Sequence, residues 1–266
     1  MIALAPKRRT IELRGGHWLA AYGLILLSWT ALFALHLSVS DLQGLKAYGF
    51  DYFWELCTLG PEDASFAVVA GMWAAMSAAM MLPGFIPALS TFDNLIGAGA
   101  ADQSGFYKII AGYLGAWMAF SLGAAVLQNF LAIYSASFVE NETLFDLAWA
   151  SALFAVAGAY QFLPAKSNCL VKCRHPFPVI FQHWSEERWN ALFIGFRLGV
   201  YCVGCCWAIM ALALAGGVFS MAWMGMGTLL MSIEKLSRIG NRITKPLGFA
   251  LLATATCLAT LCVWTN

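Results

Sequence analysis

The chain alternates long apolar blocks with short polar breaks. Seven blocks stand out, at 17–38, 65–86, 108–133, 144–163, 196–215, 218–235 and 246–264. A helix of about 20 apolar residues crosses the roughly 30 Å hydrocarbon layer of a bilayer. The alternating apolar-out, polar-in period of a membrane β-barrel is missing. The pattern therefore predicts an all-α fold: a polytopic transmembrane helical bundle of seven spans, forming one integral membrane domain over residues 1–266. No internal repeat, low-complexity tract or separate soluble domain interrupts it. The first block is longer than a cleaved signal peptide's apolar core, and no small-residue cleavage site follows it cleanly. Between the fourth and fifth blocks lies the longest loop expected on the inside, 164–195. Its second half, PVIFQHWSEERWNALFIG, predicts an amphipathic helix resting on the inner leaflet.

Composition agrees with the pattern. Hydrophobic residues make up 61% and charged residues 11% of the chain, against about a quarter charged in soluble domains. The net charge of +1 leaves no basic surface for nucleic acid. Charge distribution then orients the bundle. Lys7, Arg8, Arg9 and Arg14 precede the first block, which predicts a cytosolic N-terminus. With seven spans, every Lys and Arg except Lys46 falls on the same side, and the C-terminus lies outside. Trp18, Trp184, Trp189 and Trp264 sit near span boundaries, where indoles favour the interface.

The sulfur residues carry the candidate chemistry. GVYCVGCCWAIM places Cys202, Cys205 and Cys206 inside the fifth block. Their i, i+3, i+4 spacing puts all three on one helical face. Counted from Arg197, Cys202 lies about 8 Å and Cys206 about 14 Å along the helix, at about 1.5 Å per residue. NCLVKCRHP places Cys169 and Cys173 in the preceding loop, flanked by Lys172, Arg174 and His175. In a reducing cytosolic half no structural disulfide is expected. Five thiols are thus expected to converge on one place near the inner leaflet.

Methionines add to the set. Met72, Met76 and Met80 form an i, i+4, i+8 stripe in the second block. Met221, Met224 and Met231 lie close to one face of the sixth, and Met210 belongs to the fifth. Thiolate and thioether are soft donors that select Cu(I); thiolate also suits zinc and iron–sulfur clusters. Each element has a plainer reading. Buried cysteine packs as a small hydrophobe, and a methionine stripe alone is more often core than ligand. Gly195 and Gly199 form a GxxxG whose simplest meaning is a close helix crossing. Glu234, at the inner end of the sixth block, is a candidate by its position. The plainer reading pairs it with Lys235 or Arg238. His175 is the histidine best placed to join the thiols. No phosphate-binding loop, phosphorylation motif or dinucleotide fingerprint occurs, and the paired histidines of membrane haem proteins are missing.

Several of these elements together resemble a family of bacterial inner-membrane proteins, labelled DUF2182 and described as predicted metal-binding integral membrane proteins. The resemblance runs over residues 71–240. It rests on Trp73-x2-Met76-x3-Met80-Met81-x-Pro83, on Cys169-Leu170-x2-Cys173-Arg174-x-Pro176, and on Gly199-x2-Cys202-x2-Cys205-Cys206-Trp207. Gly216-Gly217, Trp223-Met224 and Glu234-Lys235 complete it. It implies a metal-binding, multi-pass protein of the bacterial inner membrane and no particular reaction. Phe219 stands where a methionine would closely follow the glycine pair, with Met221 coming later.

Three readings follow. In the first, the chain handles or delivers Cu(I). Cys169, Cys173, Cys202, Cys205 and Cys206 are ligands, Met76 and Met80 relays, and Met72, Met224, His175 and Glu234 further candidates; zinc or iron are the other metals. In the second, it is an accessory or assembly subunit of a larger membrane metalloenzyme complex. In the third, it is a membrane thiol redox protein in which Cys169 and Cys173 exchange electrons with the helical thiols. Expected partners are membrane lipid, partner subunits or a metallochaperone, and no nucleic acid. No enzymatic role is assigned.

Overall fold

The computed structural model describes residues 16–39, 66–138, 142–185, 187–216, 221–236 and 240–264. The basic segment before the first span and the segment around Lys46 lie outside them, as do the side chains of His36 and Met221. The described residues are helical, with no strand among them. In chain order the helices are α1 (Gly16–Val39), α2 (Phe66–Met81), α3 (Ile86–Gly97), α4 (Gln103–Phe138) and α5 (Glu142–Tyr160). They continue as α6 (Pro164–Arg174), α7 (Pro176–Gln182), α8 (Asn190–Ala211), α9 (Ala213–Gly216), α10 (Met221–Lys235) and α11 (Gly240–Trp264).

Four helical stretches are long and apolar enough to cross a membrane: Gly16–Phe33, Gln103–Leu131, Asn190–Ala211 and Arg242–Trp264. Two bent pairs bring the number to six if each pair is one span: α2 with the segment Pro83–Gly97, bent by 44°, and Leu147–Tyr160 with α6, bent by 67°. The sixth expected span, 218–235, corresponds to α10, whose 15 residues reach only about 22 Å at about 1.5 Å each.

Prolines make both bends. Pro83 lacks an amide hydrogen and cannot continue α2, so the chain passes through a 3₁₀ turn, Pro83–Phe85, before Pro87 helps to start α3. Leu163 is extended, and Pro164 opens α6 from its first turn. Each break redirects the chain into a short helix, α3 in the first case and α6 in the second.

Two expectations for the inside loop are corrected. The Cys169/Cys173 segment is a helix, α6, rather than a loop; Pro164 at its start and Lys172 and Arg174 in its last turn suit the two ends. PVIFQHWSEERWNALFIG is not one amphipathic helix. α7 ends at Gln182, a turn follows, and α8 begins at Asn190. Side chains hold that turn: Asn190 Nδ2 donates to the His183 carbonyl at 2.9 Å, and Lys108 Nζ to the Arg188 carbonyl at 3.0 Å. Because α8 starts at Asn190, Cys202 lies about 18 Å along it rather than 8 Å. Cys202 therefore sits near the middle of the helix, and Cys205 and Cys206 lie in its second half.

α4 and α8 cross at backbone contact, as the GxxxG reading expects. A Cβ on Gly195 would collide with the Ile109 carbonyl, and one on Gly112 with the Leu192 carbonyl. At Gly199 it would come within 2.7 Å of Ala116 Cβ and 2.8 Å of the Tyr113 carbonyl. α2 packs on α4 and α1, while α6 packs on α8 and α11 on α5. A second small core of Ala157, Ala208, Leu212 and Leu251 joins α5, α8 and α11.

Candidate metal centre

Close crossing of α4 and α8 brings the cysteine face of α8 against buried neighbours. Cys202, Cys205 and Cys206 are each at most 3% exposed. α6 lies over the same face of α8 and adds Cys173 from its last turn. The Sγ atoms of Cys173, Cys202 and Cys205 all lie within 4.8 Å of one another. Thiolates bound at about 2.3 Å around one ion in a plane lie about 4 Å apart, so small side-chain rotations close this triad on an ion. Cys205 Sγ is 3.6 Å from Cys173 Sγ and 3.3 Å from Cys206 Sγ. Its S–H also reaches the Cys202 carbonyl, one turn back, at 3.2 Å. All five candidate cysteines are free thiols.

Of those five, three form the triad, a fourth touches it and the fifth stands one turn away. Cys206 meets the triad through Cys205. Cys169 is half-buried and packs against Gly204, where a Cβ would lie 2.8 Å from its sulfur. Tyr160, at the end of α5, donates its hydroxyl to the Gly204 carbonyl and fixes the backbone just before Cys205.

Three neighbours of the triad are not among the ligands the sequence points to. The first is Met81, whose Sδ lies 3.9 Å from Cys202 Sγ. It stands beside the stripe of Met72, Met76 and Met80, on the face that carries Ser77 towards α4. Ser77 and Ser121 hydroxyls pair there at 3.0 Å. The second is Tyr113 on α4, stacked on Phe85 with ring centroids 3.9 Å apart. Its hydroxyl lies 3.1 Å from the Met81 carbonyl and 3.0 Å from Cys202 Sγ. The break at Pro83 explains the first contact: the Phe85 amide, which would reach Met81 in an unbroken helix, donates to the Leu82 carbonyl at 2.9 Å. With the hydroxyl hydrogen on the Met81 carbonyl, Cys202 S–H donates to the phenol oxygen. The third is Lys235, at the end of α10. Its Nζ lies 3.3 Å from Cys202 Sγ and 3.7 Å from Met81 Sδ.

Met72, Met76, Met80 and Met224 are buried in the common core. The Met80 methyl lies 3.2 Å from where a Cβ on Gly227 of α10 would stand, so the stripe packs towards α10. The ring of His175 is exposed at the joint of α6 and α7. Glu234 points away from the triad. Its carboxylate accepts from Lys166 Nζ at 2.7 and 2.9 Å, and Lys166 also donates to Gln161 Oε1. The partner is thus Lys166 rather than Lys235. Lys166 and Glu234 side chains are 1% and 2% exposed, which makes this a fully buried ion pair. Arg174, next to Cys173, donates its Nε to the Glu234 carbonyl at 3.0 Å.

A cavity of about 20 Å³ lies beside Cys173 and Cys202, with Gly84, Phe85, Tyr113 and Lys235 among its walls. That is room for roughly one water-sized body. Two of the triad thiols line it; with Cys205 and Met81 beside them the donor set is three thiols and one thioether, without a carboxylate or imidazole. Such a set suits a soft ion such as Cu(I).

No curated protein and no solved structure matches the chain. A family model does match, over residues 70–258, described as PpoB2, copper chaperone. The matched stretch holds every sulfur of the triad together with Met81, Tyr113 and Lys235. The chain belongs to the PpoB2 copper chaperone family.

Proposed function

We propose that this protein is a membrane-embedded Cu(I) carrier of the bacterial inner membrane that binds its ion on Cys173, Cys202 and Cys205. The observation that carries the reading is the convergence of those three sulfurs, from two separate helices, within 4.8 Å in the core. Met81 is the auxiliary thioether. Cys206 and Cys169 are the flanking thiols by which the ion enters or leaves the triad, and Cys169 is the one nearer the surface. Met72, Met76, Met80 and Met224 line the way on through α2 and α10. His175 and Glu234 have supporting roles, at the α6–α7 joint and in the buried ion pair.

Copper is favoured over zinc because a closed zinc site takes four strong donors in a tetrahedron, and the fourth side of this triad faces a thioether and an ammonium. The basic bias of the sequence supports a cytosolic N-terminus and an outward C-terminus. The physiological acceptor is a copper-requiring membrane protein, and the donor a soluble metallochaperone. Bound thiols are deprotonated, so loading releases protons.

Metal analysis of the detergent-purified protein tests this. Wild type loaded with Cu(I) is expected to retain one ion per chain after desalting against a weak chelator. Cys173→Ser, Cys202→Ser and Cys205→Ser are each expected to lose most of it. A Cys257→Ser/Cys262→Ser variant, altered on α11 away from the triad, is expected to keep it. Equal retention by the wild type and a triple Cys173/Cys202/Cys205→Ser variant overturns the assignment.

A further inference from the structure

Lys235 is an unusual neighbour for a soft-metal site. Among the described residues no carboxylate pairs with it; the adjacent Glu234 is taken by Lys166. Its ammonium instead rests on Cys202 Sγ at 3.3 Å and Met81 Sδ at 3.7 Å. The backbone is shaped to admit it. A Cβ on Gly84 would stand 2.6 Å from Lys235 Nζ and 3.0 Å from its Cδ, so only glycine leaves the ammonium where it is. Gly84 lies in the 3₁₀ turn that the proline break creates. The Arg174 link to the Glu234 carbonyl fixes the chain one residue before Lys235 and one after Cys173.

We propose that Lys235 is the built-in counter-ion of the thiolate triad and the residue that makes the site prefer a monovalent ion over a divalent one. This deepens the copper-carrier reading and rests on it. Three thiolates holding Cu(I) carry a net charge of −2, and the same three holding Zn(II) carry −1. An ammonium in contact with the site stabilises the first complex more than the second, because the attraction scales with the charge it meets. Burial strengthens the difference, since little water screens it. The thiol chemistry alone favours soft ions; the lysine adds discrimination by charge, which separates Cu(I) from Zn(II) even though both accept thiolate.

The experiment measures Cu(I) and Zn(II) affinities of the full-length protein in detergent, each by competition with a chromophoric chelator under reducing conditions. Lys235→Met, which keeps the length and removes the charge, is expected to lower the Cu(I)-to-Zn(II) affinity ratio on the order of tenfold. Lys235→Arg is expected to restore most of the wild-type ratio. A fall of about fivefold or more in Lys235→Met supports the proposal; a smaller fall, or a rise, overturns it. Should Lys235→Met not purify as a folded protein, Gly84→Ala, which pushes the ammonium off the sulfurs, is read by the same ratio and the same limit. A wild type that binds neither ion overturns the copper-carrier reading and this one with it. A wild type that holds Cu(I) with a ratio insensitive to the substitutions sinks the counter-ion alone.

Discussion

Tyr113 joins the two halves of the centre. Its hydroxyl meets both the carbonyl orphaned by the proline break at Met81 and the Cys202 sulfur. Tyr113→Phe leaves that carbonyl buried without a partner, which costs about 1–3 kcal/mol. The variant is expected to unfold earlier in detergent by thermal scanning, and to bind Cu(I) several-fold more weakly, because Cys202 loses the contact that orients it. A tyrosine held only for its ring would show neither effect, since the stack on Phe85 survives the change.

Among helices, the buried Lys166–Glu234 pair performs the corresponding task. It ties α6 to α10, and with Gln161 it draws in the end of α5. The same α6 carries Cys173 and the same α10 carries Lys235. Removing one charge strands the other in the core, which costs about 3–5 kcal/mol. Glu234→Gln is therefore expected to destabilise the protein strongly, while Lys166→Met/Glu234→Leu is expected to recover much of the loss, as chemical unfolding of both variants would show. The helical spacing of Cys202, Cys205 and Cys206 was legible in the sequence, because i, i+3, i+4 allows only one face. α6 was not legible as a helix. PAKSNCLVKCR has no apolar stripe, and its order comes from lying across α8 and from the ion pair. Lys235 looked like Glu234's partner because they are adjacent; the true partner stands 68 residues earlier in the chain. Met81 sat beside an obvious stripe and off its period. Its approach to Cys202 is a consequence of how α2 docks on α4, which spacing within one helix does not encode.

At the scale of the whole molecule, many large apolar side chains face outward among the described residues. Leu19, Val263 and Trp264 are 74%, 76% and 90% exposed. Such faces suit acyl chains, and they agree with the helices long enough to span. The charge bias is plain in the sequence because lysines and arginines are few, and the orientation proposed from it is what topology reporters test. The number of crossings is harder to read, because a proline inside one apolar block and another just past the end of a second each bend a helix pair, and a third block forms the 15-residue α10. A reporter active only outside the cytosol, fused after Asn266, is expected to be active, and one fused before Met1 silent. The reverse pattern would invert the proposed orientation.

For the proposed carrier, the 67° joint before α6 has a consequence for release. Two of the three sulfurs ride on one continuous rod, α8, and the third rides on an elbowed arm. Swinging the arm by a few ångströms, with α10 carried along by the Lys166–Glu234 pair, would drop the coordination number from three to two while the rod and its crossing stay as they are. A visiting thiol could then fill the vacated position and draw the ion away by ligand exchange, with no need for the bundle to open.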